Sequence, residues 1–440
     1  MTSRQRVSAA LLMGAFSLGA LRAEAQVQGT IRGPGARSYP IAVSPLKDLS
    51  ANHAGAKLAT EFADILSRDL ELAGLFKVID RSAYIERPDM AGITAEQTNF
   101  DNWSVIGALA LVKGSVLLVG DDVTVETRLF DVYQRRQLLG RRYTHGSPNL
   151  IRRIANRFAD EIMQQFTGER GPFDSRITFV STRGGRFKNI YVMSPDGGDL
   201  LQVTSGRTLD LSPSWSPDAH SLLYTSYKRG NPDLYSLDLV ASSEIRISSE
   251  KGLNLGGKWS PDGTRIAVAL EQQGNTDIFL LDRQGRELRR LTDHWSIDVS
   301  PSWSPDGQHL AFCSNRTGNP QIYVMNADGS GVRRVSYEGN YNTSPAWSPK
   351  GDLIAYTSRM DGRFNIFTVK SDGSGAQQLT SGQGNNEDPT WAPDGRYLAF
   401  SSTRTGRSLL YMMDRSGASQ VALTHGAGDD TSPNWSRWLQ

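Results

Sequence analysis

From about residue 176 to Gln440, apolar and polar residues alternate in short runs broken by Pro, Asp and Gly, and the pattern repeats as a block. Six tryptophans (Trp215, Trp259, Trp303, Trp347, Trp391 and Trp435) stand 44 residues apart. Trp259 and Trp303 open an intact W-S-P-D-G; Trp215 is followed by Ser-Pro-Asp-Ala, Trp347 by Ser-Pro-Lys-Gly and Trp391 by Ala-Pro-Asp-Gly. One period reads as four strands, Ser300–Ser304, Leu310–Ser314, Gln321–Met325 and Val332–Ser336. Pro305-Asp306-Gly307 and Asp328-Gly329 supply the turns, since Pro presets φ and Gly accepts the left-handed position. The Asp of each S-P-D-G is therefore turn chemistry. Four strands per 40–45 residues is the period of a β-propeller blade.

The register of the ends adds closure. The repeat opens at Arg176-Ile177-Thr178-Phe179-Val180, which matches a second strand, and ends with a surplus first strand, Ser432–Ser436. Pairing the two removes both open edges, so the pattern predicts a six-bladed β-propeller over 176–440, closed by its C-terminal strand.

Upstream the period changes. Ala54–Ala73 has helical spacing with Gly74 as C-cap, Phe76–Ile79 is a short strand, and Leu109–Val119, Val123–Val132 and Gln137–Tyr143 form an antiparallel meander. Asn149–Phe166 is a second amphipathic helix. Residues 40–167 thus form a small α+β domain, 168–175 a hinge, and the Gly-rich residues 26–39 a flexible tail. Arg4 and Arg6, the apolar run Val7–Leu21 and Ala23-Glu24-Ala25 have the build of a secretory signal over 1–25, cleaved near Ala25-Gln26.

Composition narrows the function. Removing residues 1–25 leaves 45 basic against 45 acidic residues, a balance that does not suggest a nucleic-acid partner. Beyond the signal no apolar run is long enough to insert in a membrane, and an exported monomer is expected. One cysteine, Cys313, excludes an intrachain disulfide or a cysteine metal site and reads as a buried small hydrophobe. The usual motifs for nucleophiles, zinc and phosphate are missing, and the six histidines stand singly. His294 and His425 follow fourth strands and read as solvated loop residues near a channel mouth.

One constellation stands out. Five residues before each tryptophan is an Asp or Asn: Asp210, Asn254, Asp298, Asn342, Asn386 and Asp430. Each side chain can cap its own loop, and the six copies also encircle one mouth of the channel. With Glu387 and Asp388 the mouth counts five carboxylates, with Lys258 almost the only local base. Such a mouth is expected to attract a cation, weakly bound calcium included, or a partner's donors. No cofactor is otherwise expected.

The order of exported signal, α+β domain and W-S-P-D-G propeller resembles the TolB family of the Tol–Pal system over the whole mature chain. The ending Ser432-Pro433-Asn434-Trp435-Ser436-Arg437 looks like that family's closing strand. The resemblance implies a non-enzymatic periplasmic adaptor supporting outer-membrane integrity and invagination during cell division. It implies a Pal-like lipoprotein bound at the propeller mouth and a TolA-like protein bound by the extreme N-terminus. Carried over by position, the Pal-like contacts are Leu253, Asn254, Gly256, Asp298 and Val299, and the ring above extends them. The TolA-like segment is Gln26, Val27, Gln28, Gly29, Thr30, Ile31, Arg32 and Gly33. It departs from the family's β-like apolar stretch, being broken by Gly29 and followed by Gly33-Pro34-Gly35. The other open reading is an exported propeller hydrolase, peptidase- or lactonase-like, with its site in the channel. The positions beside the tryptophans (Ser214, Lys258, Ser302, Ala346, Thr390, Asn434) offer it neither a His nor a carboxylate.

Overall fold

A computed structural model describes residues 38–86 and 92–440; the expected signal and the TolA-like segment lie outside the described residues. The α+β domain holds β1 (Tyr39–Val43), β2 (Lys47–Asp48), α1 (Ala56–Leu72), β3 (Phe76–Val78), α2 (Phe100–Ser104), β4 (Ala110–Val119), β5 (Asp122–Asp131), β6 (Arg136–Gly146) and α3 (Ile151–Thr167). The sheet order is β3-β1-β4-β5-β6, with β2 pairing β4. The meander and both long helices are as expected, and Gly74 ends α1 at φ +67. The first strand is not: Tyr39 starts β1 inside the expected tail, and β1 runs parallel between β3 and β4. Pro40 does not break it, because it stands near the strand's start, where a lost donor is tolerated.

The propeller has six four-stranded sheets around a closed ring of inner strands. Blade one is Ile177–Ser181, Asn189–Met193 and Leu201–Gln202, completed by Asp430–Trp435 as its inner strand. The closing register runs Asp430↔Ser181, Thr431↔Val180, Asn434↔Thr178 and Trp435↔Ile177. The inner strands of blades two to six are Asp210–Trp215, Asn254–Trp259, Asp298–Trp303, Asn342–Trp347 and Asn386–Trp391. The S-P-D-G turns fold as expected. Asp262 accepts from the Ser260 hydroxyl and the Thr264 N–H, which together hold its carboxyl down at about 2. Cys313 is buried, and burial pushes its thiol up to about 12.

The tryptophans tie blade to blade. The Trp303 indole donates to the Lys258 carbonyl of the preceding blade (3.2 Å), and the Trp391 indole to the Ala346 carbonyl (3.0 Å). The backbone N–H groups of Trp215, Trp347 and Trp435 donate to the side chains of Asn434, Ser302 and Thr390, each in the blade before.

The expected hinge is instead a buried splice. Asp160 on α3 accepts from the N–H groups of Phe173 (2.7 Å) and Asp174 (3.1 Å), and Phe173 is fully buried. Arg153 and Arg170 pair with Asp174. One apolar cluster runs from α1 and α3 through Phe173 into blades one and six, reaching Phe179, Tyr397, Leu410 and Trp435. Tyr397 donates to the Ala73 carbonyl at 2.8 Å and Trp438 to the Gly171 carbonyl at 2.7 Å. Lys350, the residue that breaks the S-P-D-G pattern, bonds Glu169 at 2.9–3.0 Å. All these contacts reach the tryptophan end of the channel, so the Asx end faces away from the α+β domain.

Two outcomes are expected. Truncation after Thr431 deletes the Trp435 anchor, worth about 3–5 kcal/mol on its own, and strips Ile177–Ser181 of its inner partner; loss of cooperative melting tests this. Asp69 on α1 is fully buried and neither carboxylate oxygen has a partner. Burial above all, then Asp196 and Asp160, push its carboxyl well above the usual range, against Arg152 and Arg68. The folded state therefore keeps a proton that the unfolded state gives up above about pH 4, and this group's contribution falls as pH rises from there. Asp69→Asn should melt increasingly above the parent as pH goes from 5 to 8; a constant difference contradicts the assignment.

Candidate functional site at the propeller mouth

Each inner strand begins with Asx and bulges two residues later. In blade two, Leu211 pairs with Thr225 and Ser214 with Leu223, so Ser212 and Pro213 stand opposite Tyr224 alone. The same shift recurs in all six blades. In five blades the second bulge residue is Pro, which has no N–H for the ladder to lose, and in blade three it is Gly257. The bulge turns its first residue into the left-handed region: Ser212 (φ 52), Gly256 (φ 66), Ser300 (φ 55), Ser344 (φ 51), Asp388 (φ 54) and Ser432 (φ 49). Five of these carry a Cβ, and each such conformation costs on the order of 1–3 kcal/mol. The six form a polar collar at the Asx end of a channel of about 330 Å³.

Asp388 locks this collar. Its Oδ1 accepts from Ser344 Oγ at 2.8 Å and its Oδ2 from Ser432 Oγ at 2.9 Å, so one carboxylate joins blades five, six and one. Beside it Glu387 is half-buried, and burial first, then Asp388, raises its carboxyl above the usual range.

The acidic ring itself is not there. Asp210, Asn254, Asp298, Asn342, Asn386 and Asp430 are all buried, and their side chains are used inside the blades. Asp210 accepts from Ser226 Oγ (2.6 Å) and Asp430 from Ser181 Oγ (2.6 Å). Asn254 accepts from Ser248 Oγ at 2.6 Å and donates to the Glu250 carbonyl at 2.8 Å, while Asn342 donates to Gln321 and the Glu338 carbonyl. The capping alternative thus describes Asn254, Asn342 and Asn386, which donates to the Gln383 carbonyl at 3.2 Å, and a second device holds Asp298, Asp430 and Asn386 again. Arg316 reaches Asp298 at 2.8 Å, Arg183 reaches Asp430, and Arg404 reaches Asn386 at 3.0 Å. These arginines come two residues after the Ser that ends each second strand, in S-T-R, S-N-R and S-T-R. They also lie over neighbouring rings, Arg404 at 4.2 Å from the Tyr411 centroid and Arg316 at 5.0 Å from that of Tyr323.

The five-carboxylate count therefore reduces to Glu387 and Asp388 at the opening. The expectation of a mouth poor in basic residues is likewise corrected. Among the described residues no group of three or more His, Cys, Asp or Glu comes together to hold a metal ion, and the Asp210, Asp298, Asp388 and Asp430 carboxylates are engaged in internal contacts. Of the residues carried over by resemblance, Leu253, Gly256 and Val299 are half-buried around the mouth, whereas Asn254 and Asp298 are enclosed. His294 bonds Ser296 within its own loop, and His425 is exposed.

What the sequence reasoning missed is the rim. The loops entering blades four and five expose Trp295 (73%), Ile297 (51%), Tyr337 (63%) and Tyr341 (40%), and the loop into blade two exposes Leu209. They lie outside the repeated motif, and large apolar residues in otherwise polar loops were the only signal. Exposed aromatics grouped on neighbouring loops around one opening suit a protein partner.

The family models match this division. Residues 28–138 match the TolB amino-terminal domain and residues 163–439 the TolB beta propeller domain. Among curated proteins, the Tol-Pal system protein TolB of Desulfosudis oleivorans is 41% identical over 205 residues, 47% of this chain and 46% of that protein. The protein of the same name from Syntrophotalea carbinolica is 42% identical over 213 residues, 48% of each. The chain thus spans about half the length of the curated relatives it matches. The crystal structure of TolB from Acinetobacter baumannii superposes with a TM-score of 0.78 at 26% identity, covering 91% of this chain and 97% of that one.

The paired arginine gives a stability test. Arg316→Met leaves Asp298 buried without its counter-charge and should cost about 3–5 kcal/mol in denaturant unfolding. Adding Asp298→Asn should recover much of that loss; no recovery would show that the arginine acts through ring packing alone.

Proposed function

The chain belongs to the TolB family, and from that premise we propose that it is a non-enzymatic periplasmic adaptor of a Tol–Pal-like system. It binds a Pal-like outer-membrane lipoprotein at the Asx end of the propeller and a TolA-like protein through Gln26–Gly33, supporting outer-membrane integrity during division. The observation that carries the mouth assignment is the rim itself: Trp295, Ile297 and Tyr341, exposed on loops that lead straight into the Asx ends of two inner strands. Strained collar residues beneath that rim support it, since such backbone persists where its surroundings over-determine it and clusters at functional sites. A non-catalytic role is supported by the collar's chemistry. Asp388 is hydrogen-bonded by serines on both sides, and the described channel lining offers no histidine to activate a hydroxyl.

The test is calorimetric titration of the soluble domain of the Pal-like lipoprotein into the parent and a Trp295→Ala, Tyr341→Ala variant. Both side chains are exposed, so melting should move little, while affinity should fall by about 2 kcal/mol or more, roughly 30-fold, if they are anchors. Unchanged affinity removes the rim from the interface. Deleting Gln26–Gly33 should abolish binding of the TolA-like C-terminal domain and leave the Pal-like titration as it was.

A further inference from the structure

The channel wall carries one charge that the mouth does not use. Lys258 lies in the inner strand of blade three, beside Trp259, at the position that the other blades fill with Ser214, Ser302, Ala346, Thr390 and Asn434. Blades three and six face each other across the channel, so Lys258 looks toward Asp388. That carboxylate already accepts from Ser344 and Ser432, and it acts on Lys258 through the field rather than through an ion-pair contact. Among the described residues the Lys258 ammonium has no hydrogen-bond partner.

Three features make room for one. Two residues before Lys258 the collar has Gly256 in place of Ser or Asp, and a Cβ there would meet nothing within 4 Å. The collar is therefore notched next to the lysine. Ser214 and Ser302 line the channel on the two flanking blades at the level of Lys258. Ser302 Oγ accepts from the Trp347 N–H at 3.0 Å, which leaves its own O–H to donate elsewhere.

We infer that this notch is a carboxylate-binding site, with the Lys258 ammonium as its cation and the Ser214 and Ser302 hydroxyls as flanking donors. The charge balance selects the ligand class. One lysine faces one carboxylate whose acceptors are partly occupied, so a singly charged, planar carboxylate satisfies the ammonium. A phosphate dianion brings a second charge toward Asp388. Arg437, the other cationic side chain of the lining, lies past Trp435 at the far end. Enclosure by the channel pulls the Lys258 ammonium down to about 8, with Asp388 only partly opposing; a bound carboxylate reverses that shift. The same chemistry has two sources, a small free carboxylate or an Asp or Glu side chain on a segment entering from the mouth. The site stands apart from the rim: either can fail without the other.

The experiment uses the mature chain labelled with ¹³C-lysine, with the Lys258 signal assigned by its disappearance in Lys258→Met. At constant ionic strength in a carboxylate-free buffer, one arm adds acetate and the other a capped Gly-Gly-Glu-Gly-Gly peptide, with chloride and inorganic phosphate as comparisons. A saturable shift of the Lys258 signal is expected, with a rise in its titration midpoint and at least a tenfold loss of affinity in Lys258→Met by calorimetry. Response to acetate alone assigns a free carboxylate, and response to the peptide, with or without acetate, admits a protein side chain; each supports the site. No saturable shift in either arm, or equal affinity in Lys258→Met, overturns it. Melting of Lys258→Met at or above the parent temperature shows that any loss is not unfolding.

Discussion

A ring of blades is complete only when both ends of the propeller chain lie in the same blade, and this molecule depends on that condition. Asp430–Trp435 fills the inner place of blade one, and the seam it makes is also where the α+β domain is attached. Trp435 donates its indole N–H to Ser175 at 2.8 Å and belongs to the apolar cluster that continues into α1 and α3. Closure and domain docking therefore share residues. The buried splice around Asp160 follows from this arrangement, because a chain entering the seam must give up its polar backbone groups to partners rather than to water.

At the other end the physics is one of internal accounts rather than an exposed field. A buried Asp is tolerated where a guanidinium and hydroxyls meet it, and Asp298 and Asp430 meet both conditions. Their charge holds the second and inner strands of one blade together and contributes little to the mouth. The groups that do face the opening are the collar, turned there by the strand bulges, and the apolar rim above it.

Much of this was legible in the residues. The 44-residue spacing of tryptophans gave the blades, and the surplus Ser432–Ser436 strand gave the closure. The mouth was harder, for a definite reason. Arg316 stands 18 residues from Asp298 and Arg183 stands 247 from Asp430, so counting charges near the Asx residues misses the partners that cancel them. The strand β1 was hidden because its parallel neighbours, β3 and β4, are long-range pairings with no turn to announce them. Likewise Gly168, Gly171 and Pro172 look like a flexible link until Asp160, on the preceding helix, is seen to hold the next backbone turn. The rim aromatics belong to no repeat and have no periodicity to reveal them.

The central position of β1 has a mechanical consequence. Tyr39, its first residue, is where the described chain enters the domain, and β1 is bonded on both sides by parallel strands. Tension applied along the chain ahead of Tyr39 loads those hydrogen bonds together, in shear, instead of peeling them one at a time. Beyond the sheet, α1, α3 and the seam are joined to the propeller by one continuous apolar cluster. Between α3 and blade one such a pull would meet the packed splice around Asp160 and Phe173 rather than a slack linker.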